Sequence, residues 1–223
     1  FDIAEQCKGR LAEYAAEVTD EQILMTASGA RGIGDEIQHY PTDYTGFPNA
    51  FLPPDSAHNL IWDGSIAKNQ LVEATHKLGT AVIDAAKLKS GKMLGDIKSG
   101  KSIKMTPCSA EGGKHFLFLT GMEGMYDLRR EVGDAGFLTL EKAKMTAVGE
   151  KSVIYSGGRA FYNGVLIDEL EAIVKFNDGG AGSDQRYMRS LFLGAHAVAV
   201  AYGTKGQSRN TRYELTRSEE RRV

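Results

Sequence analysis

Residues 26–37 read TASGARGIGDEI, and the fold turns on how Gly29, Gly32 and Gly34 are taken. In one reading they form a loop that cradles a phosphate, and the chain is a dinucleotide-binding enzyme built on a parallel sheet. In the other, Gly29 stops a helix and the later glycines let the backbone turn with positive φ. A dinucleotide loop needs a strand before it and a helix after it, so that the pyrophosphate meets a helix N-terminus. Here the residues before it repeat with a helical period, and those after it, GDEIQHYPTDYTGFP, run into prolines.

The spacing disagrees as well. Short-chain dehydrogenases place three residues between the first glycine and the Gly-x-Gly, whereas two separate Gly29 from Gly32. They also need a tyrosine with a lysine four residues on, and none of the nine tyrosines has one. The helix-stop reading is the one adopted. An NAD(P)-dependent oxidoreductase using Ser28 to Gly34 is kept only as the rival from another class.

Working outward, residues 2–27 carry apolar side chains at Ala4, Cys7, Leu11, Tyr14, Val18 and Met25, which predicts one long helix. Asp2 and Glu5 resemble a capping box at its start. At ~1.5 Å per residue the rod is roughly 40 Å long, a spine rather than a packing helix of a compact α/β domain. Cys7 lies on the apolar stripe and is expected to be a small buried residue. With Cys108 it makes two cysteines, too few for a disulfide framework or a zinc site, and both are expected reduced.

Residues 31–64 hold four of the five prolines, together with Tyr40, Tyr44, Phe47 and Phe51. A connection this long is either functional or laid across a neighbour. Aromatics beside prolines suit a protein contact surface, and an ordinary packed loop is the alternative. A second helix is expected from Ser65 to about Lys89, then a Gly/Lys-rich loop over 91–100 and a short strand at 103–106. HFLFLT, residues 115–120, is apolar enough for a central strand. A helix at 122–132 follows, and another is expected at 139–148. An extended piece at 153–155 leads to a Ser-Gly-Gly turn. Asn163-Gly164 invites a hairpin between 161–162 and 165–167. Residues 172–176 continue extended, 177–183 (NDGGAGS) read as a flexible loop, and 189–193 as a strand. Residues 195–202 fit helix or strand equally. The tail from 209 is densely charged and of mixed sign.

Composition narrows the function classes. A net charge of −2 gives no general basic field for nucleic acid. No apolar run reaches the ~18 residues that span a bilayer, and no signal peptide is visible. The five histidines show no metal-ligand spacing, and His115 and His196 read as packed residues. There is no nucleophile elbow and no P-loop. Asp168 and Glu169 are adjacent on a strand and so point to opposite faces. Arg129 and Arg130 make either a clamp for an anion or a partner carboxylate, or a solvated helix face. No catalytic, cofactor or metal residue is assigned. The lysines Lys87, Lys89, Lys92, Lys98, Lys101 and Lys104 face DNA or solvate a loop, and the loop is preferred.

At this point a resemblance enters. Residues 1–32 (FDIAEQCKGRLAEYAAEVTDEQILMTASGARG), 57–87 (AHNLIWDGSIAKNQLVEATHKLGTAVIDAAK), 112–132 (GGKHFLFLTGMEGMYDLRREV), 155–176 (YSGGRAFYNGVLIDELEAIVKF) and 189–203 (RSLFLGAHAVAVAYG) resemble, in order, segments of the major capsid proteins of tailed double-stranded DNA phages (Caudoviricetes). They are most similar to the enquatrovirus-like coat family. One local departure is Thr120-Gly121-Met122, where that family usually carries His-Pro. The number and order of the segments carry the likeness.

The resemblance implies an α+β chain with the Hong Kong 97-like (Johnson) fold. Residues 1–64 would supply the spine helix and a peripheral-domain loop, 65–208 mainly the axial domain, and 209–223 a charged C-terminal segment. The family's N-terminal arm and extended loop are absent from this sequence, so a longer coat protein is expected. It further implies a non-enzymatic subunit that self-assembles into the icosahedral head around double-stranded DNA. Its partners would be copies of itself in hexamers and pentamers, scaffolding and portal proteins, a decoration protein and packaged DNA touched without sequence preference, with no membrane. Its location would be the virion, and the host cytoplasm during assembly. Tyr40, Tyr44, Phe47, Phe51, Arg129 and Arg130 are the expected inter-subunit contacts. An encapsulin-like compartment shell is the alternative within the same fold.

Overall fold

The computed structural model describes residues 3–32, 50–52, 73, 75–93, 105–110, 113–132, 136–137, 160–182, 185–195 and 197–200. Helix α1 runs Ile3–Ser28. It stops where the sequence predicts: Gly29 takes φ +71°, and its N–H bonds the Thr26 carbonyl at 3.1 Å. Gly32, at φ +72°, then crosses strand β5 (Lys175–Gly179). A Cβ there would lie 2.4 Å from the Lys175 carbonyl oxygen and 2.5 Å from Val174 Cγ1. The glycine is needed so that one backbone can cross another closely, not to admit a ligand. Gly34 lies outside the described residues.

Helix α2 is Thr80–Lys92, fifteen positions later than the expected start at Ser65. Residues 65–72 lie outside the described residues, while 73 and 75–79 are not helical. The physical reason is local. Gly79 is extended (φ −140°, ψ 173°) and has no side chain to cap with. The Glu131 carboxylate takes over, accepting the Thr80 N–H at 3.1 and 3.0 Å and its hydroxyl at 3.0 Å. Leu78 leaves the helical stripe and packs on the core. At the other end Gly91 and Lys92 are helical rather than loop.

Strands β1 (Cys108–Ala110), β2 (Gly113–Thr120), β3 (Ala160–Tyr162), β4 (Val165–Glu169) and β7 (Leu191–Leu193) form one sheet, in the order β1-β2-β4-β3 with β7 also on β2. Residues 117–119 of β2 pair with β4 in parallel and with β7 antiparallel, so β2 is central, as its apolar run predicts. The β3–β4 hairpin forms on Asn163-Gly164, both at positive φ (46° and 75°), with Tyr162 opposite Val165. Helix α3, Met122–Arg129, follows β2 directly and is shorter than the expected 122–132. Strands β5 and β6 (Gln185–Met188) make a separate antiparallel pair.

Other boundaries differ from expectation. Residues 177–179 belong to β5, and the turn falls at 180–182. The expected strand at 189–193 is shortened to Leu191–Leu193, because β6 before it pairs with β5 whereas β7 pairs with β2, and the chain changes sheets at Arg189-Ser190. Extended structure from 172 becomes a strand only at Lys175, after a turn at 171–172. Of the expected strand at 103–106, Thr106 makes a single bridge to Ala195, and the strand proper begins at Cys108. Residues 197–200 adopt neither helix nor strand. The helix expected at 139–148, the piece at 153–155 and the tail lie outside the described residues.

Two apolar clusters form on opposite faces of β2, as strand alternation requires. Phe118 packs with Ile83 of α2, Met125 and Leu128 of α3, Phe137, and Val165 and Ile167 of β4. Leu119 faces the other way, toward Leu24 and Met25 of α1, Val174, Phe176 and Leu191. Gly124 lets α3 sit against the end of β2, since a Cβ there would fall 2.2 Å from Thr120 Oγ1.

Candidate functional site

Polar contacts fix how the helices meet the strands. Arg189 donates to the Ser28 carbonyl at 2.6 Å, which places a cation on the C-terminal end of α1. Its guanidinium also lies 4.3 Å from the centre of the Phe176 ring, and that ring stacks on Tyr187 at 5.2 Å. Burial and then the nearby Asp178 carboxylate raise the Tyr187 phenol above its ordinary pKa. Asp84 of α2 accepts from Tyr162 Oη and Asn163 Nδ2, each at 2.8 Å. Lys87 donates to the Asn163 side chain at 2.8 Å, so α2 grips the hairpin tip. Burial, reinforced by Asp84, pushes Tyr162 up to about 12. Lys175 of β5 pairs with Glu123 of α3 at 2.6 Å, and that hydrogen bond lowers the Glu123 carboxyl.

None of this assembles a reacting centre. Among the described residues, no three His, Cys, Asp or Glu could hold a metal ion. His115 packs its ring edge-on to Phe161 at 5.0 Å, the structural role expected of it. His196 lies outside the described residues. Asp168 takes up the Glu169 N–H at 3.2 Å. A helix precedes Gly29, so the strand that a dinucleotide loop requires is absent at that place.

Exposed apolar side chains lie on all three described helices: Leu11 and Tyr14 on α1, Leu88 on α2, and Met122 and Tyr126 on α3. On α3, Gly124, Met125 and Leu128 face inward, and Met122, Tyr126, Arg129 and Arg130 face solvent. Met122 is 56% and Tyr126 57% exposed. Arg130 hydrogen-bonds the Tyr126 hydroxyl and lies over its ring, 5.1 Å from the centroid. On α1, Met25 is fully buried, Val18 is half-buried, and Tyr14 and Leu11 are exposed. The same apolar stripe thus runs out of the core into solvent. Cys7 is exposed on it, against the expectation of burial, because the stripe leaves the core toward this end of the helix.

Of the six expected contact residues, Arg129 and Arg130 lie together on the open face of α3. Phe51 is half-buried against the Leu24–Phe176 cluster. Tyr40, Tyr44 and Phe47 lie outside the described residues. Sequence reasoning did not single out Met122 or Tyr126, although their four-residue spacing with Arg130 puts all three on one helix face. Leu11 and Tyr14 lie on the apolar stripe that the sequence shows, and periodicity alone does not tell whether such a stripe is buried.

Among the described residues these features define a mixed helix-and-sheet chain with exposed apolar side chains on its helices and no assembled active centre. The family model for phage capsid protein matches residues 1–220, and the chain belongs to that family. Among solved structures it is similar to the capsid of Ralstonia phage GP4, with 28% identity over 94% of this chain and a TM-score of 0.69. It is also similar in fold to the cyanophage Pam1 capsid asymmetric unit, with 20% identity over 82% of this chain and a TM-score of 0.52. The chain spans 59% and 51% of the lengths of those two proteins. No curated protein sequence matches it.

Proposed function

We propose that this chain is a major capsid protein, a structural and non-enzymatic subunit that self-assembles into the icosahedral head around double-stranded viral DNA. The observation that carries the reading is family membership over residues 1–220. The likeness to the Ralstonia phage GP4 capsid supports it. So do the exposed Tyr, Met and Arg side chains of α3, residue types enriched at protein interfaces.

In this reading the fold is of the Hong Kong 97 type, with α1 as the spine helix. Residues 1–64 belong to the peripheral side and 65–208 mainly to the axial side. Copies of the chain meet in hexamers and pentamers through the 40–51 segment and through Arg129 and Arg130. Many repeats of a modest contact then hold the shell by avidity. Scaffolding, portal and decoration proteins and packaged DNA are its further partners, and the virion is its location.

The reading is tested by sedimenting the protein from infected cells and treating the fast fraction with nuclease. The expected result is this chain as the dominant protein of particles that protect double-stranded DNA. Particles without nucleic acid would favour a compartment shell, and a chain confined to the slow, soluble fraction would refute the proposal.

A further inference from the structure

Of the six asparagines in the sequence, Asn163 alone is followed by glycine. The pair is there for the hairpin: both residues sit at positive φ, 46° and 75°, where asparagine and glycine are the residues best tolerated. The same pair carries a reaction of its own. With no β-carbon on the glycine to obstruct it, the Gly164 nitrogen can attack Asn163 Cγ. The N–Cγ bond forms, the Cγ–Nδ2 bond breaks, and Nδ2 leaves as ammonia with the proton that the Gly164 nitrogen gives up. Water then opens the five-membered ring at one carbonyl or the other. Residue 163 ends as an aspartate, or as an isoaspartate whose main chain runs through the former side chain.

In this fold the tip is held from outside the hairpin. Asp84 accepts from Asn163 Nδ2 and Lys87 donates to Asn163 Oδ1, each at 2.8 Å. Lys87 also donates to the Asn163 main-chain carbonyl. Its ammonium lies over the turn, since a Cβ on Gly164 would fall 3.1 Å from Lys87 Nζ. Three-residue spacing puts Asp84 and Lys87 on one face of α2, so one helix offers the amide both an acceptor and a donor. From the sheet side, the Phe116 N–H donates to the Gly164 carbonyl at 3.1 Å.

We propose that Asn163 is a latent modification site, open to amide-to-acid conversion, and that Asp84 and Lys87 of α2 keep it shut. Ring closure needs the side chain to swing onto the Gly164 nitrogen and the Cα–C bond of Asn163 to rotate. The first motion breaks the contacts of both amide atoms. The second breaks the contact of the main-chain carbonyl and disturbs the Tyr162–Val165 pair. A near-attack arrangement is therefore reached only when several contacts open together. Loss of ammonia also needs a proton delivered to Nδ2, where Asp84 is an acceptor. Conversion would in turn undo the clamp. A carboxylate at 163 faces Asp84 as a like charge, and an isoaspartate adds a main-chain atom to the turn and shifts the register. The inference stands on these contacts and not on the shell reading.

The test follows conversion in the whole folded protein held in mildly alkaline buffer. Trypsin releases residues 160–175, AFYNGVLIDELEAIVK, in which Asn163 is the one side-chain amide, so its mass gain on conversion reports that residue alone. The parent protein is compared with Lys87→Met, Asp84→Ala and the parent unfolded in urea. Folded parent is expected to convert at least about tenfold more slowly than the unfolded chain, and each variant about tenfold faster than folded parent. Gly124→Val weakens the fold at α3 without touching the clamp, and it is expected to convert at the parent rate. Circular dichroism confirms that each variant is folded during the incubation, and Lys87→Met serves where Asp84→Ala does not fold.

Folded and unfolded parent converting at one rate would overturn the proposal. So would a folded Lys87→Met no faster than parent, or a Gly124→Val as fast as Lys87→Met, which would assign the protection to the fold as a whole. Asn163→Asp should lower the melting temperature, and adding Asp84→Asn should recover part of the loss. An unchanged midpoint in Asn163→Asp would overturn the claim that conversion releases α2.

Discussion

Glu131 lies just beyond the end of α3, yet both of its carboxylate oxygens serve the N-terminus of α2. They accept the Thr80 N–H at 3.1 and 3.0 Å and the Thr80 hydroxyl at 3.0 Å. Thr80 is 6% exposed, so water cannot take the carboxylate's place easily. Three effects are lost together in Glu131→Ala. Removing an N-cap costs about 1 kcal/mol. Losing an anion at a helix N-terminus costs roughly 0.3–1 kcal/mol. A buried donor left without a partner costs about 1–3 kcal/mol, less whatever relaxation recovers. These overlap, so a net loss of roughly 2–3 kcal/mol is expected for Glu131→Ala. Glu131→Gln keeps an acceptor and loses only the charge, so about 0.5–1 kcal/mol is expected.

Thermal melting of the unassembled subunit reads both variants. At about 2–4 °C per kcal/mol for a chain of this size, Ala lowers the midpoint by roughly 4–12 °C and Gln by about 1–4 °C. Gly79→Ala is an independent check. A Cβ at that position lies 2.7 Å from Glu131 Oε1, and the φ of −140° suits alanine, so displacement of the carboxylate is the main injury. It should approach the Glu131→Ala result. Equal midpoints for Ala, Gln and the parent protein would refute the cap as a source of stability.

Three further outcomes are expected. Gly124→Val places carbon 2.2 Å from Thr120 Oγ1 and 2.7 Å from Met188 Cε, so α3 must lift from β2 at a cost of about 1–3 kcal/mol, seen as a lowered denaturation midpoint. Arg189→Ala leaves the Ser28 carbonyl without its cation and uncovers Phe176, and hydrogen exchange in the last turn of α1 should quicken by about tenfold. Tyr162 ionises near 12 in the folded chain, against about 10 when unfolded. Its stabilising contribution is therefore complete below pH 10 and is lost as pH rises from 10 through 12. The alkaline fall in melting temperature should shrink in Tyr162→Phe, and an unchanged fall would count against that assignment.

Much of the fold was legible because local rules and tertiary contacts agree. Gly29 ends α1, Asn163-Gly164 turns the hairpin, and the run at 115–120 is the central strand. The start of α2 was not legible, because its cap comes from Glu131, fifty-one residues away in sequence. The late start of β7 at Leu191 was hidden for a similar reason, since Arg189 and Ser190 are spent on the passage from one sheet to the other. Arg129 and Arg130 draw attention in the sequence through their charge, and the structure leaves both exposed at the end of α3. The stripe of Leu11 and Tyr14 is legible in the sequence, but that it leaves the core is shown only by the burial of Met25 and the exposure of Leu11 and Tyr14.

The most direct measurement is negative-stain electron microscopy of the protein expressed from its whole coding sequence and purified by sedimentation. Uniform closed shells of tens of nanometres, built mainly from this chain, are the predicted result. A homogeneous monomer or dimer that forms no particles, even with candidate scaffolding proteins supplied, would contradict the account.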